Sequence, residues 1–253
     1  MSGAPRVDAI LLAAGRSQRM GGIDKTIAPL RGRPLAAWSI EAFASCDAVT
    51  AIVLVSGELN HKDLEQIAEQ YSGGKVAAVV PGGARRQDSV LRGLSALPSD
   101  ASSSDGASSS DPEGLVAVHD TARPLVSHAL ILRGIELAAQ HGAAIAGARV
   151  SDTIKRVNQD GSIRETIDRD TLRAMQTPQV FQRAVLERAY SENAAGDSAD
   201  ATDDAMLVEA IGQPVFVYES DTPNIKVTTP DDLVIAETLL AKLLSERLAG
   251  SRQ

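Results

Sequence analysis

Val7-Asp8-Ala9-Ile10-Leu11-Leu12-Ala13-Ala14-Gly15-Arg16-Ser17-Gln18-Arg19-Met20-Gly21-Gly22-Ile23-Asp24-Lys25 is the stretch that decides the reading of this chain. A short apolar run ending at a glycine reads as a buried strand, and the loop leaving it carries three glycines and three cations. Small residues let backbone N–H groups approach an anion, while Arg19 and Lys25 bring the charge that amides lack. The loop matches neither GxGxxG nor GxxxxGK[ST], so an ordinary strand-to-helix turn with solvated basic residues stands beside the phosphate reading.

Outward from that loop, the spacing predicts a helix over 34–44, a buried strand at 51–55, a helix over 60–71 and a strand at 75–80. Apolar strands alternating with helices predict a mainly parallel sheet covered on both faces, with ligands beyond the strands' carboxyl ends. A second glycine turn, Pro81-Gly82-Gly83-Ala84-Arg85-Arg86-Gln87-Asp88-Ser89, leaves a strand and enters a helix reaching about Leu97. It is either a plain β–α turn or the facing wall of a crevice, with Ser89 in a first helical turn where free N–H groups meet a polar ligand.

Residues 98–113 are low complexity and too polar for a core, so they read as a flexible surface insertion within a single domain spanning 1–253. A strand at 115–118 follows and ends in His119-Asp120-Thr121-Ala122-Arg123-Pro124. Asp120 at a strand's carboxyl end is a candidate Mg²⁺ ligand or a capping aspartate, and Arg123 a partner for it or for phosphate. A helix at 128–140 and a strand at 143–147 precede β-branched residues around Asn158-Gln159-Asp160-Gly161, which predict a hairpin arm over about 149–167. A two-stranded ribbon buries little alone, so the arm is expected to pack on a second copy in a homodimer. A helix at 182–190, one running from a Thr202 cap to Ala210, a strand at 215–218 and a closing helix begun by Thr229-Pro230 complete the pattern.

The 253 residues carry a net charge of −8 with only 3% aromatics, which argues against nucleic acid and makes the basic cluster Arg16, Arg19, Lys25, Arg31 and Arg33 more telling. That cluster suits a small anionic ligand. Cys46 is the only cysteine, excluding an internal disulfide and any thiolate cluster, and a reducing cytoplasm is expected. The run 7–14 is too short to span a membrane and contains Asp8, so neither a transmembrane helix nor a signal peptide is expected.

Eight ordered motifs carry a family resemblance. They are Ala-Ala-Gly…Arg-Met…Lys at 13–25, Gly-Gly…Arg…Ser at 82–89, His-Asp-Thr-Ala-Arg-Pro at 119–124, Asp-Thr at 152–153, Asp-Arg at 168–169, Gln-Thr-Pro-Gln at 176–179, Thr-Asp at 202–203, and Asn-Ile-Lys-Val-Thr-Thr-Pro-Asp-Asp-Leu at 224–233. Together they resemble the 2-C-methyl-D-erythritol 4-phosphate cytidylyltransferase family. The resemblance implies a Rossmann-like three-layer α/β nucleotidyltransferase fold with a dimerising β-arm, and Mg²⁺-dependent transfer of CMP from CTP to methylerythritol phosphate. It also implies that Ala13, Ala14, Gly15, Gly83 and Ser89 hold the nucleotide and that Asp120 contacts the metal. Thr153, Arg169, Thr177, Thr202 and Lys226 would surround the polyol phosphate, together with Asp120 and Arg123. Arg19 and Lys25 would be catalytic, with Arg169 and Lys226 positioning the attacker.

Two positions depart from the family's pattern: Ser17 replaces a usual glycine, and Asp24, with Thr26 beyond the lysine, replaces a proline-like approach. Rival readings are a cytidylyltransferase for another polyol phosphate, such as ribitol 5-phosphate, and a non-catalytic nucleotide-binding protein.

Overall fold

The computed structural model describes residues 5–15, 24–98, 114–193, 201–220 and 223–250. Arg19 and nearly all of the serine-rich insertion lie outside the described residues. Successive side chains of a strand point to opposite faces, and β1 (Val7–Ala13) sends Val7, Ala9, Leu11 and Ala13 to one core but Ile10 and Leu12 to another. A strand buried on both sides requires a helical layer over each face.

The first layer comes from α1 (Leu35–Ala44), α2 (His61–Tyr71) and α4 (His128–His141), which contribute Phe43, Leu64 and Leu130 to the core shared with Leu11. The second comes from α3 (Arg86–Ala96), α5 (Arg183–Asn193) and α6 (Asp204–Ala210), whose Val90, Leu186 and Val208 pack with Ile10. Between the layers, β1 pairs in parallel with β4 (Val49–Ser56) and β6 (Leu115–Asp120), and β4 with β5 (Val76–Pro81). On the far side, β7 (Ala143–Arg149) pairs in parallel with β11 (Phe216–Glu219).

The expected mainly parallel sheet is therefore present, with one antiparallel strand. β10 (Arg173–Gln182) runs against both β6 and β7 in the order β11-β7-β10-β6-β1-β4-β5. The sequence pattern does not announce β10, because Gln176, Pro178 and Gln179 interrupt its apolar residues. A ribbon of β2 (Pro29–Leu30) and β3 (Arg33–Pro34) precedes α1. The hairpin of β8 (Ile154–Val157) and β9 (Ile163–Ile167) stands as a separate sheet, with Val157 and Ile163 at 60% and 63% exposure.

Capping chemistry sets the helix ends. Ser127 Oγ accepts from Leu130 N at 3.1 Å where α4 starts, and Gly142 adopts φ 88° where it stops. α6 is capped by Asp203, which accepts from Met206 N at 3.0 Å, not by Thr202, whose hydroxyl donates to Met206 Sδ. At the start of α7 (Pro230–Gly250), Asp232 Oδ2 accepts from Thr228 N and Thr229 N at 2.8 and 2.9 Å. The Thr228 hydroxyl, which donates to the same oxygen at 2.8 Å, and these amides outweigh burial and draw the Asp232 carboxyl below its usual range. Leu240 and Ala236 of α7 then seal a third core with Leu30, Leu35 and Leu125.

Candidate active site

Parallel pairing brings the carboxyl ends of β1, β4, β5 and β6 to one edge, so the loops after them share that edge. The two glycine turns meet there. A Cβ on Gly82 would lie 2.5 Å from Ala14 Cβ and 2.8 Å from Ser89 Oγ, so the close approach of the turns needs glycine. Gly82 N donates to Ser56 O at 2.7 Å, and Ser89 Oγ accepts from Gly83 N at 3.0 Å, which shapes the second turn.

Between the turns lies a cleft of about 290 Å³. The first turn lines it with Ala13, Ala14, Gly15 and Lys25, the second with Gly83, Arg86 and Ser89, and the opposite wall with Asp120 and Lys226.

Asp120 ends β6, and its Oδ2 accepts from Lys226 Nζ at 2.6 Å. Burial would raise the Asp120 pKa, but Lys226, Arg86 and Arg123 overcome it and hold the carboxylate ionised well below the usual range. Behind it runs a directed chain. Asp120 N donates to Thr177 Oγ1 at 3.1 Å, the Thr177 hydroxyl lies 3.0 Å from His119 Nδ1, and His119 Nε2 lies 3.3 Å from Arg123 O. A carbonyl only accepts, so His119 carries its proton on Nε2 and accepts the threonine hydroxyl's hydrogen bond at Nδ1. His119 is fully buried, and burial pushes its pKa down to about 3, so it stays neutral.

Arg86 is the cleft cation that the sequence reading passed over. Its Nη2 donates to the fully buried Asp204 at 2.7 Å, and Tyr190 Oη donates to the other carboxylate oxygen at 2.6 Å. Burial alone would lower the guanidinium's pKa, yet Asp204 outweighs it and raises the pKa. Nη1 of Arg86 is buried and has no hydrogen-bond partner among the described residues. The Arg85-Arg86 doublet gives no sign of which arginine is the more buried: both line the cleft, but Arg85 is exposed and pairs with Asp88 at 2.8 Å.

Other expected site residues stand outside the cleft lining. Arg123 is buried and donates from Nη1 to Asn224 O at 2.9 Å, while Thr177 holds Asp120 from behind. Thr153 and Arg169 are exposed near the hairpin, Arg169 donating to Ser151 O at 2.6 Å, and Thr202 is exposed beside α6.

Among the described residues no group of three or more His, Cys, Asp or Glu side chains could enclose a metal. The single Asp120 carboxylate, with one oxygen taken by Lys226, suits an ion that keeps waters and binds one or two carboxylates plus phosphate oxygens. Mg²⁺ fits that donor set.

The family model described as 2-C-methyl-D-erythritol 4-phosphate cytidylyltransferase matches residues 7–242. Proteins of that name from Dehalococcoides mccartyi and Geobacillus kaustophilus are 39% and 41% identical to the chain. Each alignment covers 94% of this chain, and 97% and 99% of the respective relative. Among solved structures, 4-diphosphocytidyl-2C-methyl-D-erythritol synthase from Anaerococcus prevotii superposes with TM-score 0.80 at 27% identity, over 94% of this chain and 97% of that one. The cytidylyltransferase from Thermus thermophilus gives TM-score 0.71 at 32% identity, over 92% and 98%.

Proposed function

The chain belongs to the 2-C-methyl-D-erythritol 4-phosphate cytidylyltransferase family, and we propose that it joins CTP to 2-C-methyl-D-erythritol 4-phosphate in the cleft between its glycine turns. The products are 4-diphosphocytidyl-2-C-methyl-D-erythritol and pyrophosphate. The observation that carries this placement is the convergence of Lys25, Arg86 and Lys226 on one cleft that also holds the Asp120 carboxylate, beside backbone turns suited to a nucleotide.

An oxygen of the polyol phosphate attacks the α-phosphorus, a new P–O bond forms, and the α–β bridging bond breaks with its electrons leaving on pyrophosphate. That oxygen is already anionic near neutral pH, so no general base is needed. The barrier is the meeting of two polyanions, and fixed cations lower it where charge builds. Lys25, together with Arg19, would stabilise the five-coordinate phosphorus and the leaving group. Lys226, held by Asp120, would orient the attacking phosphate in line. Ala13, Ala14, Gly15, Gly83 and Ser89 would hold the nucleotide. Mg²⁺, when bound at Asp120, supplies charge neutralisation of the triphosphate.

Arg169 and Thr153, exposed near the hairpin, would serve the cleft of a second protomer in a homodimer formed through the arm. Arg123 and Thr177 would contribute through Asp120, and Thr202 would line the polyol side. The buried free thiol of Cys46 suits a reducing compartment, and the cytoplasm is the proposed location. Pyrophosphate release from CTP and Mg²⁺ tests the assignment. Turnover with methylerythritol phosphate far above that with ribitol 5-phosphate is expected, and the reverse preference would reassign the substrate.

A further inference from the structure

We propose that Asn60, the residue before α2, is a positioning residue that holds Lys25 in the cleft by clasping both neighbours of that lysine. This rests on the reaction assigned above. Asn60 is 2% exposed and comes from the loop after β4, yet its side chain reaches across to the loop after β1. The two hydrogens of its Nδ2 are shared among three acceptors, Asp24 Oδ2 at 2.7 Å, Thr26 Oγ1 at 3.0 Å and Ala13 O at 3.1 Å. The entry and the exit of the phosphate-facing loop are thus tied to one amide.

That amide is itself fixed. Gly57 N donates to Asn60 Oδ1 at 2.7 Å, and Leu64 N to the Asn60 carbonyl at 2.9 Å, so both side-chain ends and the backbone are committed. The lysine's own turn is closed just as fully. Asp24 Oδ1 accepts from Thr26 N and Thr26 Oγ1 at 2.9 and 2.7 Å, and Thr26 O accepts from Ala36 N of α1 at 2.9 Å. Lys25 and Thr26 line the cleft while Asp24 does not.

This arrangement gives Asp24 a purpose. A carboxylate next to the lysine would repel a triphosphate, but here both its oxygens are occupied by three donors from Thr26 and Asn60. The departure at Asp24 and Thr26 is therefore one device with Asn60. It substitutes a hydrogen-bonded clasp for rigid backbone in keeping a flexible lysine within reach of the phosphates. Misplacing a reacting group by about 1 Å costs roughly a hundredfold in rate, so support of this kind is kinetically visible.

Full-length Asn60→Ala and Asp24→Asn, compared with wild type and Lys25→Ala, test the clasp. Asn60→Ala is expected to lower kcat by about tenfold or more with the CTP dissociation constant within about threefold, and to cost no more than about threefold further once Lys25 is alanine. An equal loss in both backgrounds would overturn the proposal. Asp24→Asn keeps an acceptor for Thr26 but turns an NH₂ toward Asn60. It should slow turnover although it removes a negative charge near the triphosphate, and an unchanged or faster rate would overturn the proposal even where Asn60→Ala fails to fold. Amide exchange at Thr26, Ile27 and Ala28 should accelerate by about tenfold in Asn60→Ala while α1 amides hold, and unchanged protection would contradict the clasp. Failure of wild type to release pyrophosphate would remove the assigned reaction, whereas the exchange result decides the clasp by itself.

Discussion

At the scale of single residues, His119 shows how a group buried behind the cleft lining is built into the site. It is neutral because it is fully buried, and it keeps Thr177 turned so that the backbone of Asp120 stays bonded. Its pKa of about 3 in the folded chain lies below the ordinary histidine value near 6.5. Between those values the unfolded chain binds the extra proton, so this contribution is complete above pH 6.5. It drains at about 1.4 kcal/mol per pH unit as the pH falls toward 3. Denaturant titrations at pH 7, 6 and 5, above the range where the lowered carboxyls begin to contribute, should show that slope, and His119→Gln should flatten it. A wild-type stability independent of pH across this range would show that His119 titrates normally. Residue roles were unevenly legible in the sequence. Glycines and lysines beside strand ends announce phosphate chemistry, whereas Asn60 acts on partners 34 to 47 residues away and leaves no local pattern.

At the scale of elements, the strands that could be read are those buried on both faces, because β1, β4 and β6 must then be continuous apolar runs. β10 was hidden because its polar residues are satisfied by folding rather than by water. Gln179 Oε1 accepts from the backbone of Asp204 and Ala205, and Gln176 Oε1 from Ser220 and Asn224. Those partners come from distant segments, so a local window sees only interrupted hydrophobicity. The hairpin of β8 and β9 was legible from β-branched residues flanking Asn158–Gly161, yet the same ribbon leaves Val157 and Ile163 largely in water. Covering each such side chain is worth about 1.5–3 kcal/mol, which is the physical basis for the proposed dimer. Ile163→Asp should raise the dimer dissociation constant by about a hundredfold in analytical ultracentrifugation while leaving the monomer fold intact. A dimer of unchanged strength would move the interface elsewhere.

At the scale of the whole molecule, topology performs the task that no one motif performs. Parallel strands deliver the turns after β1, β5 and β6 to one edge, and the segment before α7 brings Lys226 to the same place from far along the chain. Four cations, Lys25, Arg85, Arg86 and Lys226, and the Asp120 carboxylate then line one cleft of about 290 Å³. The charge set separates into supports and actors: Asp204 anchors Arg86, Asp120 anchors Lys226, and Asp24 with Asn60 flanks Lys25. Lys25 is the actor assigned to the reacting phosphorus itself, so its removal reads the chemical step most directly. The kcat of Lys25→Ala measured beside its CTP dissociation constant is the direct test of a cleft that works by charge at the reacting phosphorus. A fall in kcat of about a hundredfold, roughly 3 kcal/mol, with CTP binding changed less than about threefold is the expected result. A kcat within about threefold of wild type, or a loss confined to CTP binding, would contradict it.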